Sequence, residues 1–338
     1  MTQRSRLRAL LFCLLVVAAA ALSLLPHFKD SAELVRMRNA LLMDFVDTPS
    51  FDWKPQATPA DFVLERAAPS PQFSARVQAL GLERLPGDWE RAVAIGRHLL
   101  QNRANQATMG QAIQSDLEQT YALILGEGKG YCADFSDVFD AMALAAGLKV
   151  RTWAFSFEGF GGRGHIFNEV WDERRGRWLM IDVANNFFPL DEAGQPMSGL
   201  EFRERVRLGA DDTATRPVEP RALQGFADPA AAARYYRRGL HQWYMWWGNA
   251  VYTYDDALLV RLLGPLSRSL EQLGAIAQGV HPRIRVLAEP DNRGMVEKMR
   301  VLRMHLLAVL GVSVAACLAA AVLGLGYVRA ARAAARRR

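Results

Sequence analysis

The chain is 338 residues long, 51% hydrophobic and 22% charged, with a formal net charge of +6 and three cysteines. Arg4, Arg6 and Arg8 at one end and Arg329, Arg332, Arg336, Arg337 and Arg338 at the other are eight arginines with no acid among them, and without them the charge is −2. The basic character therefore sits in the tails, which excludes a nucleic-acid binder with a basic stripe on its folded domain, and Cys13 and Cys317 lie in apolar runs, so Cys132 has no partner for a disulfide.

Residues 9–25 are an apolar stretch of 17 residues behind the first three arginines, at the short end of what crosses a bilayer as a helix. Ala18, Ala19, Ala20 and Ala21 with Ser23 also offer small residues to a signal peptidase, but Leu24 and Leu25 carry the apolar run past them. An uncleaved anchor is the reading taken, with cleavage as the alternative. Residues 47–88 hold Pro49, Pro55, Pro59, Pro69, Pro71 and Pro86, which predicts an extended or irregular lead-in. Ala92, Val93, Ile95, Leu99 and Leu100 are spaced for a helix over 89–101, and Ile113, Leu117, Tyr121 and Ile124 for one over 109–125. Gly126, Gly128 and Gly130 break the second helix. A third begins at Cys132, places Phe135, Val138, Phe139 and Met142 on one face and ends before Gly147.

Residues 150–157, 166–171 and 178–183 are rich in β-branched and aromatic residues at strand length, and the last two predict a hairpin. Helices are predicted over 201–208, 222–240 and 256–278. Among them lie Tyr235, Tyr236, Trp243, Tyr244, Trp246, Trp247, Tyr252 and Tyr254, a cluster suited to a core or cleft wall, to glycan contact or to a membrane surface. Residues 306–328 are 23 residues without a charge, followed at once by arginines, the pattern of a transmembrane helix with a stop-transfer tail. The predicted organisation is a cytoplasmic tip and anchor (1–29), a lead-in (30–88), a core (89–190), a helical, aromatic-rich extension (191–303), a membrane helix (304–328) and a basic cytoplasmic tail (329–338). Positive residues stay cytoplasmic, so both ends are expected inside and the main domain outside, in the periplasm of a Gram-negative-type envelope. Lys298, Arg300 and Arg303 on the other flank oppose this, three basic groups against five.

Gly130-Tyr131-Cys132, Gly164-His165 and Trp178 followed four residues later by Asp182 place a thiol, an imidazole and a carboxylate in the order a thiol-based acyl-transfer site requires. A helix N-terminus and a nearby imidazolium both favour the thiolate, and the glycines ahead of Cys132 let the first helical N–H groups converge where an oxyanion would form. The hairpin register has two candidates. If Trp171 faces Gly176, His165 faces Asp182 directly; if Asp172 faces Arg177, Asp182 faces Phe167 and is His165's diagonal neighbour. Both put the two side chains on one sheet face, leaving one ring nitrogen for Asp182 and the other for Cys132.

These motifs, with Gly147-Leu148-Lys149-Val150-Arg151 leading from helix to strand and Glu169-Val170 in the next strand, resemble the transglutaminase-like superfamily, a branch of the papain-like cysteine enzymes, over roughly residues 90–190. The resemblance implies an α+β fold in which a helix bearing the cysteine packs on an antiparallel sheet bearing the histidine and aspartate. It implies acyl transfer through a thioester, with Cys132 the nucleophile, His165 the general base and then acid, and Asp182 the orienting carboxylate. No cofactor and no metal is expected, since Cys132, His165 and Asp182 lack the paired short spacings of a zinc site. Tyr131 and Gln119 are candidates for a side-chain oxyanion donor, and Asn185 or Asn186 could orient His165 instead of Asp182. Glu169 reads as structural, and His98, His241 and His281 as ordinary helix or loop histidines.

The functional expectation is a membrane-anchored periplasmic cysteine enzyme cleaving or transferring at an amide bond of a peptide, protein or glycoconjugate. Its setting would be cell-envelope or exopolysaccharide processing, beside envelope or polysaccharide assembly proteins. The alternative is a catalytically silent module of the same fold that binds a peptide or polysaccharide through the aromatic cluster. A bare tether between two membrane helices would leave the Gly-Tyr-Cys and Gly-His motifs unexplained.

Overall fold

The computed structural model describes residues 3–48, 50–103, 113 and 115–335, in two compact units: Leu42–Arg293, and Met1–Leu41 with Gly294–Arg338. In the larger unit a five-stranded antiparallel sheet has the order β3-β2-β1-β6-β7. Its strands are β1 (Val150–Ser156), β2 (Gly164–Asp172), β3 (Arg177–Ile181), β6 (Trp243–Trp246) and β7 (Ile284–Val286); β4 (Phe188–Pro189) and β5 (Thr215–Arg216) pair separately.

Every residue of β1 is buried because both sheet faces are covered. On one face Val150, Val170, Leu179 and Ile181 pack with the apolar stripes of α4 (Asp88–Leu100), α5 (Leu117–Glu127) and α6 (Cys132–Ala145), and with Phe73 of α3 (Pro71–Ala79). On the other, Trp153, Phe155, Phe167, Trp178 and Met245 meet Phe51, Trp53 and Phe62 of the lead-in, Phe202 and Val206 of α7 (Gly199–Arg207), and Ala233 and Tyr236 of α8 (Pro229–Arg238). The alternation of strand side chains thus feeds two different cores.

Polar groups fix α6 on its face. The buried Asp140 carboxylate accepts from Thr152 Oγ1 at 2.6 Å and Asn168 Nδ2 at 2.7 Å, and Asn168 Nδ2 also donates to Ser136 Oγ at 2.9 Å. Glu169 is structural, as its sequence context suggests. It accepts from Arg151 Nε at 2.6 Å, Trp153 Nε1 at 2.7 Å and the Gly199 amide at 2.6 Å, while Arg151 stacks 4.2 Å from the Trp178 ring.

Several predicted elements differ. Pro71 opens a helix inside the lead-in, because Ser70 caps the Phe73 amide and proline is tolerated at the first helical position. Of the helix predicted over 109–125, residues 109–112 lie outside the described residues; α5 starts only at Leu117, where Asp116 caps the Gln119 amide at 2.8 Å. The 222–240 helix is shortened to α8, which Asp228 caps and Pro229 starts. The single helix over 256–278 is instead α10 (Leu258–Leu263) and α11 (Arg268–Gln278), because Pro265 has no N–H to continue the ladder and Ser267 begins a new cap.

In the smaller unit, α1 (Gln3–Leu22) and α12 (Arg293–Ala335) are long and apolar enough to cross a membrane. Phe12, Leu15, Leu318 and Val322 are each about two-thirds exposed, as lipid-facing side chains would be. Arg6 donates to the Gly326 carbonyl and Ser23 Oγ meets His305 Nε2 at 3.0 Å, so the helices run antiparallel and the basic end of α1 lies beside Arg329 and Arg332. Arg336, Arg337 and Arg338 fall outside the described residues.

Glu169→Ala strands the buried Arg151 guanidinium, and the expected loss is about 3–5 kcal/mol of stability. Urea denaturation should show Glu169→Leu with Arg151→Met recovering most of that loss.

Candidate active site

Cys132 is the first residue of α6, where Phe135 N to Tyr131 O is the first bond of the ladder, so the Cys132 and Ala133 amides lie ahead of it. Asp134 Oδ2 accepts from the Tyr131 amide at 3.1 Å and the Ile113 amide at 3.0 Å, holding this turn. Gly130 is required by its surroundings, with φ at 119° and a Cβ there falling 2.9 Å from the Phe135 ring. Gly164 is required by close approach, since a Cβ would lie 1.9 Å from the Phe155 carbonyl oxygen. The strand can therefore run against β1 and present His165 only if the residue ahead of it has no side chain.

The hairpin closes with Asp172 opposite Arg177, which makes Asp182 the diagonal neighbour of His165. Asp182 bridges to Phe187 through reciprocal backbone bonds of 2.9 and 3.0 Å, just past the end of β3. His165 and Asp182 lie on the aromatic face, whereas α6 packs on the opposite one, and they meet at the end of the sheet where β2 starts and β3 stops. There His165 Nε2 is 2.8 Å from Asp182 Oδ2, and Cys132 is near enough to favour the charged form of the ring. The three side chains named from the sequence are thus brought to one end of the sheet, with Nε2 engaged by Asp182 and Nδ1 left over.

Asp182 has no solvent exposure and collects four bonds. Besides His165, Tyr236 donates its hydroxyl at 2.7 Å, Asn185 Nδ2 donates at 2.8 Å, and the Asn185 amide donates to Oδ1 at 3.0 Å. Burial would raise this carboxyl, but the His165 charge and these hydrogen bonds outweigh it and hold Asp182 below its usual range. Burial likewise pulls the imidazole toward neutrality, and the Asp182 carboxylate together with the Cys132 contact reverses that, lifting His165 to about 10. The pair is an imidazolium and a carboxylate at neutral pH.

Of the other sequence candidates, Asn185 Nδ2 also lies 3.1 Å from His165 Nε2, so it supports the carboxylate instead of replacing it. Asn186 accepts the Glu219 amide at 2.8 Å and donates to the Glu219 carbonyl, bracing a loop. Gln119 is exposed and accepts the Ser115 hydroxyl through Oε1. Tyr131 adjoins Cys132 and keeps its proton, pushed up to about 12 by burial and by Asp134. His98 bonds Tyr121 at 2.8 Å, His241 bonds Glu289 at 3.1 Å, and His281 lies against the Trp246 ring.

Of the three roles open to the aromatic cluster, burial selects core for most of its rings. Tyr236, Trp243, Tyr244, Trp246, Trp247 and Tyr252 are buried, and residues 243–246 are a strand paired with β1. A binding module that uses these rings as its exposed face is inconsistent with that burial.

Two neighbours of the site escaped the sequence reading. Tyr236 stood among eight aromatics with nothing local to mark its hydroxyl. Arg103 follows α4 and stacks 4.4 Å from the Phe135 ring, within electrostatic range of Cys132 and Asp182; its signal was a charged residue trailing a helix, which usually means solvent.

Residues 81–183 match the family model of the transglutaminase-like superfamily. This segment is a transglutaminase-like domain. It spans α4, α5, α6 and the β1–β3 meander and ends one residue past Asp182. No curated protein and no solved structure matches the chain. Tyr236, β6 and β7 lie beyond the transglutaminase-like segment, so the second layer of the site comes from the extension.

His165's raised pKa adds stability that is complete below its ordinary 6.5 and lost as pH rises toward about 10. Asp182's lowered pKa adds stability that is complete above its ordinary 3.8 and lost as pH falls through the depressed value. The stability gap between the wild type and His165→Gln should therefore be widest between these two ordinary values and close as pH rises toward 10, a trend read from urea melts across pH. Tyr236→Phe should cost about 1–3 kcal/mol in the same assay.

Proposed function

We propose that the protein is a membrane-anchored cysteine enzyme that cleaves or transfers at an amide bond through a thioester on Cys132. The observation that carries this is the hydrogen-bonded His165–Asp182 pair with Cys132 in its electrostatic reach at the start of a helix inside a transglutaminase-like domain. Cys132 sulfur attacks the amide carbonyl carbon as a thiolate, and the negative charge passes to the carbonyl oxygen, beside the Cys132 amide. Collapse of that intermediate breaks the C–N bond, and the His165 imidazolium gives its proton to the departing amine. Water or an amine then attacks the thioester while the neutral imidazole takes its proton, and the thiolate leaves. Asp182 keeps the ring oriented and stabilises its charged form throughout. Hydrolysis is the preferred outcome, on a peptide, protein or glycoconjugate of the cell envelope.

Two antiparallel apolar helices with arginines at one shared end support a location with both termini in the cytoplasm and residues 42–293 in the periplasm. Protease added to spheroplasts should digest that unit and spare the tails; protection of the unit would reverse the orientation.

The purified full chain and Cys132→Ala, in detergent, should be incubated with envelope peptides and glycopeptides. A covalent acyl adduct on Cys132 in the wild type alone is the expected mass-spectrometric result, and its absence with every substrate while both proteins remain folded would count against the enzyme. His165→Ala should slow iodoacetamide alkylation of Cys132 at neutral pH by about tenfold or more, and an unchanged rate would remove the histidine from the mechanism.

A further inference from the structure

Four arginines are buried among the described residues: Arg103, Arg151, Arg203 and Arg285. Arg151 is paired with Glu169, Arg203 with Glu289, and Arg285 with Asp44 and Asp61. Arg103 is 2% exposed, and among the described residues it has no carboxylate in ion-pair contact and its Nε and Nη1 have no hydrogen-bond partner. Those two nitrogens carry three of the five guanidinium N–H bonds. A buried charge left this way is destabilising unless something else completes it.

The position of the guanidinium says what that something is. It lies on the Phe135 ring, and Phe135 is one helical turn from Cys132. The same ring sits against Gly130, so the stack is wedged between the glycine turn and the nucleophile's helix. Asp182 and Cys132 are the groups that act on it electrostatically, and the Asp182 carboxylate is already occupied by His165, Tyr236 and Asn185. The donors therefore belong to a guanidinium stacked on a ring one helical turn from Cys132, and they have no acceptor among the described residues.

We propose that Arg103 binds a carboxylate of the substrate, so that the enzyme selects amides whose acyl group carries a free carboxylate close to the carbonyl attacked by Cys132. This rests on the reading of Cys132 as the nucleophile. Acidic peptides, with a side-chain or terminal carboxylate adjoining the reacting amide, are the substrate class that satisfies it. The guanidinium keeps its charge at any physiological pH and prefers planar oxyanions, and a weakly hydrated cation stacked on a ring is suited to a dry site. A neutral amide of the same size would leave its donors unmet, and a site built for a polar partner rejects an analogue that lacks it.

Iodoacetate and iodoacetamide form a pair of probes of nearly equal size that differ in charge. Alkylation by each should be followed at Cys132 in the full chain in detergent, by mass spectrometry of the Cys132 peptide, which keeps Cys13 and Cys317 out of the reading. His165 also favours the anionic reagent, so the quantity compared between proteins is the ratio of the two rates. In Arg103→Gln the iodoacetate-to-iodoacetamide ratio should fall about tenfold, while Arg103→Lys should keep it within about threefold. A ratio unchanged in Arg103→Gln, even with both rates lowered together, overturns the carboxylate assignment and makes Arg103 a structural or thiolate-stabilising residue. If Arg103→Gln fails to fold, the wild type decides: acetate should protect Cys132 from iodoacetamide where acetamide does not, and equal or absent protection overturns the proposal. Failure of both reagents to modify wild-type Cys132 is the distinct result that removes the nucleophile, and the carboxylate site with it.

Discussion

A carboxylate with no access to solvent has to find its counter-charge inside the protein, and Asp182 is that carboxylate. Burial alone would protonate it. Four donors keep it ionised: the His165 ring, the Tyr236 hydroxyl, and the side chain and backbone amide of Asn185. Each donor comes from a different constraint on the chain. His165 depends on β2 being threaded past Phe155 at Gly164, Asn185 depends on the four-residue turn closed by Asp182 and Phe187, and Tyr236 depends on α8 being seated over the aromatic face. The protonation state of one side chain thus ties together segments more than fifty residues apart, and the imidazolium that faces Cys132 is its product.

The same requirement explains why a transglutaminase-like segment ending at Val183 is followed by an extension. Residues 188–293 add the strand that covers β1, the two helices over the aromatic face and the tyrosine hydroxyl that completes Asp182. Without that layer the carboxylate would face water, its hold on His165 would weaken in the higher dielectric, and the ring would drift toward an ordinary imidazole. The opposite face needs a different solution. There the Asp140, Asn168, Thr152 and Ser136 network fixes the rotation of α6, and the rotation decides whether the first residue of the helix meets the ring around the end of the sheet.

What the sequence revealed follows from the range of the forces that write it. The start of α6, the glycine before His165 and the hairpin carrying Asp182 are local, and local periodicity and glycine placement make them legible. The register had two solutions because both keep side-chain parity. The turn chose between them: Asp172 Oδ1 accepts the Arg175 amide at 2.7 Å and the Asp172 carbonyl accepts the Gly176 amide at 2.8 Å, which closes the hairpin at Asp172 and Arg177. Strand β6 was hidden because Trp243-Tyr244-Met245-Trp246 is apolar on both faces and carries no alternation, only a cluster that fits a core, a glycan site or a membrane edge. Tyr236 and Arg103 gain their meaning from partners far along the chain, and nothing in their neighbours announces it.

Two buried acids on the aromatic face show how little separates scaffold from chemistry. Glu169 and Asp182 are both fully buried and each accepts three or more hydrogen bonds. Glu169 is matched to an arginine, whose proton stays put at any physiological pH, so the pair is fixed and does no more than hold β1, β2 and α7 together. Asp182 is matched to a histidine, whose proton can leave by its far nitrogen toward a thiol. Interchanging the two basic partners would keep both ion pairs and much of the packing, yet it would set an arginine, which holds its proton, where His165 now stands. The chemistry of the site therefore lies in the choice of base beside a buried carboxylate, and in the end of the sheet at which that choice was made.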